Sequence, residues 1–157
     1  MTVVVVGCGN ELVRGDDLGL RVVRRLAGRR LALPPGIAVK VVEAGTPGLD
    51  LLYLLEGADK AVIVDAVLGG GPPGRVYRLT PEDLLPAGPG LWSLHDLGVA
   101  EALELGRRAA WTGMPREVVI LGIETRLPGT EATMKDEWEE RAVAEALRLL
   151  EEELMVP

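Results

Sequence analysis

The chain has no phenylalanine and no glutamine, and only one each of asparagine, serine, histidine and cysteine. A single cysteine, Cys8, allows no internal disulfide, which suits a reducing compartment. The single serine, Ser93, stands two residues from the single histidine, His95, on an expected helix. Residues two apart on a helix do not face each other, so serine-based catalysis is set aside. Long apolar runs are also missing: Arg, Asp, Glu or Gly interrupts every stretch before it could span a bilayer. Met1-Thr2 leads straight into an expected strand without a basic segment, so no signal peptide is expected. These absences predict a cytoplasmic protein with no membrane partner. A net charge of −7, with no basic stripe carrying interleaved aromatics, argues against nucleic acid. The shortage of Asn, Gln and Cys is a trend of heat-adapted proteins, but a GC-rich genome would also favour Arg, Ala, Gly and Leu. Both explanations stay open.

What is present is a globular composition, 48% hydrophobic and 26% charged over 157 residues. That length is expected to form one domain over residues 1–157 with a sizeable core. Strand and helix patterns alternate. Val3–Val6 reads as a strand buried on both faces. Leu18–Leu31 reads as a helix that Asp16 or Asp17 can cap. Ile37–Glu43 is a second strand, and Thr46 is expected to cap a helix through Glu56, with Pro47 in its first position. Ala61–Val67 is the most apolar strand. Gly69–Gly74 is a loop, Arg75–Leu79 a short strand, and Thr80-Pro81-Glu82-Asp83 a capped turn. A loop over Pro86–Gly90 precedes a helix from Leu94 to about Ala110, capped by Ser93. Glu117–Ile123 is the last strand. The last helix runs from about Met134 to Leu154, its apolar positions at three- and four-residue steps. The predicted fold class is α/β: a three-layer α/β/α sandwich with a mostly parallel central sheet of about five strands.

The chemistry concentrates where strands end. Gly7-Cys8-Gly9 suggests a dinucleotide fingerprint, but the position of its third glycine holds Leu12. Two carboxylates, Asp16 and Asp17, would also repel a pyrophosphate, and the Gly-Lys-Ser/Thr ending of a phosphate loop is missing. Asp16 and Asp17 have a plain reading as helix caps favoured by the helix dipole. The other reading is that one caps while its neighbour points into a cleft as a ligand. Asp65 ends a run expected to be buried on both faces, where a carboxylate is costly unless a cation or hydrogen-bond donors meet it. Loop amides could meet that need; so could a site. With Ser93 as cap, His95 falls in the first turn of its helix, where the dipole favours a neutral imidazole, the form that binds metals. Cys8 lies inside a strand–turn junction, and buried cysteines are usually inert. Asp16, Asp65 and His95 would make a mixed oxygen–nitrogen ligand set suited to nickel or zinc. Spacing alone does not bring the three together.

These segments, taken in order, resemble the maturation endopeptidases of nickel–iron hydrogenases. The matching elements are Gly7-Cys8-Gly9-Asn10 followed by Asp16-Asp17-Leu18-Gly19; Gly45-Thr46-Pro47-Gly48 with Val64-Asp65-Ala66; Ser93-Leu94-His95-Asp96-Leu97-Gly98; and Leu121-Gly122-Ile123. The resemblance implies a twisted central sheet flanked by helices. It also implies removal of a C-terminal peptide from a nickel-loaded hydrogenase large-subunit precursor. Asp16, Asp65 and His95 then become the metal-contacting and catalytic set, with Asn10, Asp17, Gly45 and Thr46 around them. The nickel would arrive with the substrate, and the partner would be that precursor. A non-catalytic metal-sensing or precursor-binding chaperone on the same scaffold is the alternative. Two departures stand out. Glu124-Thr125 follows Gly122-Ile123 where many relatives place a proline, and Leu18 replaces a frequent glycine. The tail ends near the last helix, and a monomer is expected.

Overall fold

The computed structural model describes residues 1–84, 92–93, 98–126 and 137–156. Four strands run parallel: β1 (Thr2–Cys8), β2 (Ala38–Gly45), β3 (Lys60–Leu68) and, after two short antiparallel strands, β6 (Glu117–Glu124). Those short strands are β4 (Val76–Leu79), antiparallel to β6, and β5 (Trp92–Ser93), antiparallel to the end of β3. The order across the sheet is β2-β1-β3-β6-β4, with β5 off this path. β1 and β3 are central, and their Val- and Ile-rich runs are buried on both faces, as interior parallel strands require.

Alternate residues feed two cores. Val3, Val5, Val62, Val64, Val119 and Leu121 face α1 (Leu18–Ala27) and α4 (Glu137–Met155). Val4, Val6, Cys8, Ala61, Ile63 and Ile120 face α2 (Leu51–Leu55) and α3 (Val99–Arg108). The three-layer α/β/α reading is therefore the observed architecture, with antiparallel β4 at one edge of the sheet and antiparallel β5 against the end of central β3. Helices α1, α2 and α3 are shorter than their patterns suggested. α1 stops at Ala27 rather than Leu31, and the turn expected at Thr80 is a 3-10 turn over Pro81–Leu84. There the Asp83 carboxylate accepts bonds from the Thr80 amide (2.7 Å) and hydroxyl (3.0 Å), and the Asp83 amide donates to the Thr80 carbonyl (3.1 Å) rather than to its hydroxyl, so only one half of a capping box forms.

Two cap assignments fail. Thr46 does not cap a helix: a 3-10 turn over Gly48–Asp50 intervenes, with Gly48 at φ +54°, and the α-helix begins only at Leu51. Ser93 does not cap α3. Its backbone pairs with Val67 of β3, and the helix starts at Val99 with Gly98 at the cap. Strand pairing holds the Ser93 backbone in β5, five residues before the Gly98 cap of α3. The expected loop at 86–90, His95 and the first turn expected from Met134 lie outside the described residues.

Candidate functional site

The chain leaves β1 over one face of the sheet, through α1, and enters β3 from the other, through α2. Such a reversal opens a crevice at the carboxyl ends of the strands involved, where open α/β sheets take ligands. Two of the sequence's candidates stand there. Gly7 pairs with Val64, so the parallel register sets Cys8 of β1 beside Asp65 of β3. Asp65 follows Ala61 and Ile63 in alternation, which puts it on the Cys8 side of the sheet.

Asp16 returns to this point through a loop that folds on itself. The Gly9 amide donates to the Gly45 carbonyl (2.8 Å), and the Asn10 amide to the Asp16 carbonyl (3.1 Å). The Asn10 side-chain oxygen accepts the Leu12 amide at 2.9 Å, an Asx turn that shapes the loop. The Asp16 amide in turn donates to the Val13 carbonyl (3.1 Å). Gly9 is required here: at φ +144°, a Cβ would stand 2.0 Å from the Asp16 carbonyl oxygen. Gly19 meets the same constraint at the start of α1. A Cβ on it would meet the carbonyls of Val64 and Cys8 at 2.3 and 2.4 Å, so only glycine lets the helix begin against the ends of β1 and β3. Leu18, the departure just before it, is fully buried in the core under α1 and α4. The larger side chain adds to the packing and leaves the crevice alone.

Asp16 and Asp65 are 3% and 2% exposed, unusual values for carboxylates. Asp65 Oδ1 accepts the amide of its neighbour Ala66 at 2.9 Å. The clearest sign that the two lie near each other is their common effect on the Cys8 thiol. Burial pushes Cys8 well above the ordinary thiol range, and the negative charges of Asp65 and then Asp16 push it further. Both carboxylates therefore act on one buried sulfur. The same field keeps Cys8 protonated, which removes it as a nucleophile.

The surrounding candidates divide by role. Asp17 sits at the cap position of α1 without a side-chain capping bond. Burial alone would lower the Arg21 guanidinium, but Glu139, Asp17 and Glu140 together raise it. Asn10, Gly45 and Thr46 line a cleft of about 350 Å³ with Gly9, Glu11 and Arg24, beside the Asp16 loop. His95 lies outside the described residues, and among those described no group of three or more His, Cys, Asp or Glu forms a metal cluster. What the described residues assemble is a pair of buried carboxylates at the switch point.

Motif reading gave no role to Glu124 and Thr125, whose only signal was departure from the expected pattern. Both are buried. The Glu124 oxygens accept the Gly69 amide (2.9 and 3.0 Å) and the Tyr77 hydroxyl (3.1 Å), fixing the loop after β3. Thr125 reaches the other way: its hydroxyl donates to the Gly15 carbonyl at 2.7 Å.

A doubly wound α/β protein with an acidic crevice at its switch point is the class these features define. The family model for hydrogenase maturation proteases matches residues 20–153. Over 128 residues the chain is 33% identical to the hydrogenase expression/formation protein HupD of Bradyrhizobium diazoefficiens, covering 78% of this chain and 62% of that one. It is 30% identical over 125 residues to the hydrogenase 2 maturation protease of Escherichia coli, covering 78% and 73%. The structure of the [NiFe] hydrogenase maturation protease HybD from Thermococcus kodakarensis superposes with a TM-score of 0.74 at 26% identity, covering 98% of this chain and 99% of that one. The matches to the first curated relatives span about three-fifths of those proteins' own length, 62%, 58% and 56%. The chain belongs to the hydrogenase maturation protease family.

Proposed function

We propose that this protein is an endopeptidase that removes a C-terminal peptide from the nickel-loaded precursor of a nickel–iron hydrogenase large subunit. The observation that carries the reading is the pair Asp16 and Asp65, two buried carboxylates that both bear on the Cys8 thiol. Two carboxylates gathered in a poorly hydrated crevice offer oxygen donors to an arriving cation. A nickel ion held by the substrate is such a cation, and the His95 imidazole completes an oxygen–nitrogen set suited to it. On this reading the metal belongs to the substrate. Its presence reports that the precursor is loaded, and its contact with the two carboxylates positions the scissile bond. The protein works as a cytoplasmic monomer, and among the described residues no helix is long and apolar enough to cross a membrane.

The test is incubation of the purified protein with nickel-loaded and nickel-free precursor, followed by intact mass of the large subunit. Loss of a C-terminal peptide from the loaded precursor alone is expected. Asp16→Asn, Asp65→Asn and His95→Ala should each leave a folded protein that does not process. Full processing by all three variants would sink the assignment of these residues. Tight binding of the loaded precursor with no mass change would instead assign the chain to precursor-binding chaperones.

A further inference from the structure

The Asp16 loop is self-contained. Its backbone bonds run between Asn10, Val13 and Asp16, and its outer side is held by an ion pair from Arg24 to Glu11. The Thr125 hydroxyl ties the inner side to the sheet. It donates to the carbonyl of Gly15, the residue just before Asp16, at 2.7 Å in a buried contact. Gly15 sits at φ +79°, and a Cβ there would come within 2.7 Å of the Thr125 oxygen, so the loop backbone rests directly against this hydroxyl. The Thr125 amide donates at 3.1 Å to the carbonyl of Val67, two residues past Asp65 on β3. One residue thus bonds to both carboxylate-bearing segments: the loop of Asp16 through its side chain, the strand of Asp65 through its backbone.

We propose that Thr125 is a positioning residue, whose hydroxyl, through the Gly15 carbonyl, sets where the Asp16 carboxylate stands relative to Asp65. Removing the hydroxyl leaves a buried carbonyl without its donor, and the loop relaxes to find another. Asp16 moves with it, because its amide and carbonyl are both committed to bonds inside the same loop. The consequence for catalysis rests on the protease reading above. On that reading alignment of the scissile bond depends on this carboxylate, so the loss falls on turnover.

Thr125→Ala and Thr125→Ser separate the hydroxyl from the methyl group. Amide hydrogen exchange at Asn10 and Asp16 reads the anchor without reference to activity, with the Val64 amide in β3 as control. In Thr125→Ala both loop amides should exchange about tenfold faster than in wild type while Val64 is unchanged. In Thr125→Ser they should stay near wild type. With nickel-loaded precursor, Thr125→Ala should lower kcat about tenfold with KM within about twofold, and Thr125→Ser should restore most of the rate. Equal losses in the Ala and Ser variants would make the methyl's packing the cause and overturn the proposal. So would wild-type exchange in Thr125→Ala. If wild-type protein leaves the precursor intact, the protease reading fails, and the exchange ranking still decides whether Thr125 anchors the loop.

Discussion

The two ends of β3 handle buried charge in opposite ways. At the amino end Lys60 is 3% exposed, yet its ammonium donates to the Glu153 carboxylate and carbonyl, each at 3.1 Å, with Glu117 at 3.5 Å. Arg78 joins the same Glu153. Opposite charges meet, and the cluster ties α4 to β3, β4 and β6. At the carboxyl end Asp65 accepts a backbone amide and shares the Cys8 thiol with a second carboxylate, Asp16. Like charges are held together there. The first arrangement ties elements of the fold to one another; the second gathers carboxylate oxygens where the sheet opens to ligands.

The sharpest way to break this contrast is to neutralise each end in turn. Asp65→Asn keeps the oxygen that accepts the Ala66 amide and removes one of two like charges. Precursor processing should fall by orders of magnitude while the melting temperature stays within about 2 °C of wild type or rises. A large fall in Tm would place Asp65 among the residues that hold the fold together. Lys60→Met should show the reverse. Glu153 keeps Arg78 but loses its buried partner, for a cost of about 2 kcal/mol. That lowers Tm by about 4–8 °C in a domain of this size. Cleavage per folded molecule should not change, which a thermal melt run beside the intact-mass assay would show.

The same contrast explains what could be read from the chain. The central strands were legible because Val3–Val6 and Ala61–Val64 are apolar at every position, and only an interior parallel strand buries both faces. Asp65 was legible for the converse reason, a carboxylate at the end of such a run. Its convergence with Asp16 was not, because that depends on a loop whose closure uses backbone groups of Gly9, Asn10 and Val13. Thr125 was invisible as an anchor, since a threonine after a strand carries no signal until its tertiary partner is known. The cap at Ser93 was misread because propensity sees only neighbours in sequence, while the competing partner, Val67, lies 26 positions away. Lys60 was passed over for a similar reason: a lysine before an apolar strand looks like a surface boundary until α4 packs over it.

Glu124 lies between the two extremes, a buried carboxylate satisfied by neutral donors. Tyr77→Phe removes one of them and should cost about 1 kcal/mol. Glu124→Gln should cost somewhat more, because an amide nitrogen would face the Gly69 amide, donor against donor. Denaturant unfolding of both variants checks the ranking. Unchanged stability in Glu124→Gln would mean that the loop after β3 is held by other contacts.

The mildest test concerns pH at the amino end. Burial alone would raise the Glu153 carboxyl, but hydrogen bonds from Arg78 and Lys60 outweigh it and hold the group below the ordinary carboxylate range. A carboxyl depressed in the folded state stabilises the protein above its unfolded pKa, near 4.3 for Glu, and loses that contribution as pH falls through the folded value. Glu153→Gln should therefore lower Tm at pH 7, and the gap to wild type should close on acidification below about pH 4. Glu104 on α3 supplies the control. Arg107 and Arg108 hold its carboxyl down to about 2, but both arginines are exposed on the helix surface, where salt screens them, although Glu104 itself is only partly exposed. In 0.5 M salt Glu104→Gln should leave the melting curve where it was, while Glu153→Gln keeps its pH-dependent gap. If the two variants respond alike, the Lys60 cluster behaves as surface charge, and the contrast between the ends of β3 reduces to the carboxyl end alone.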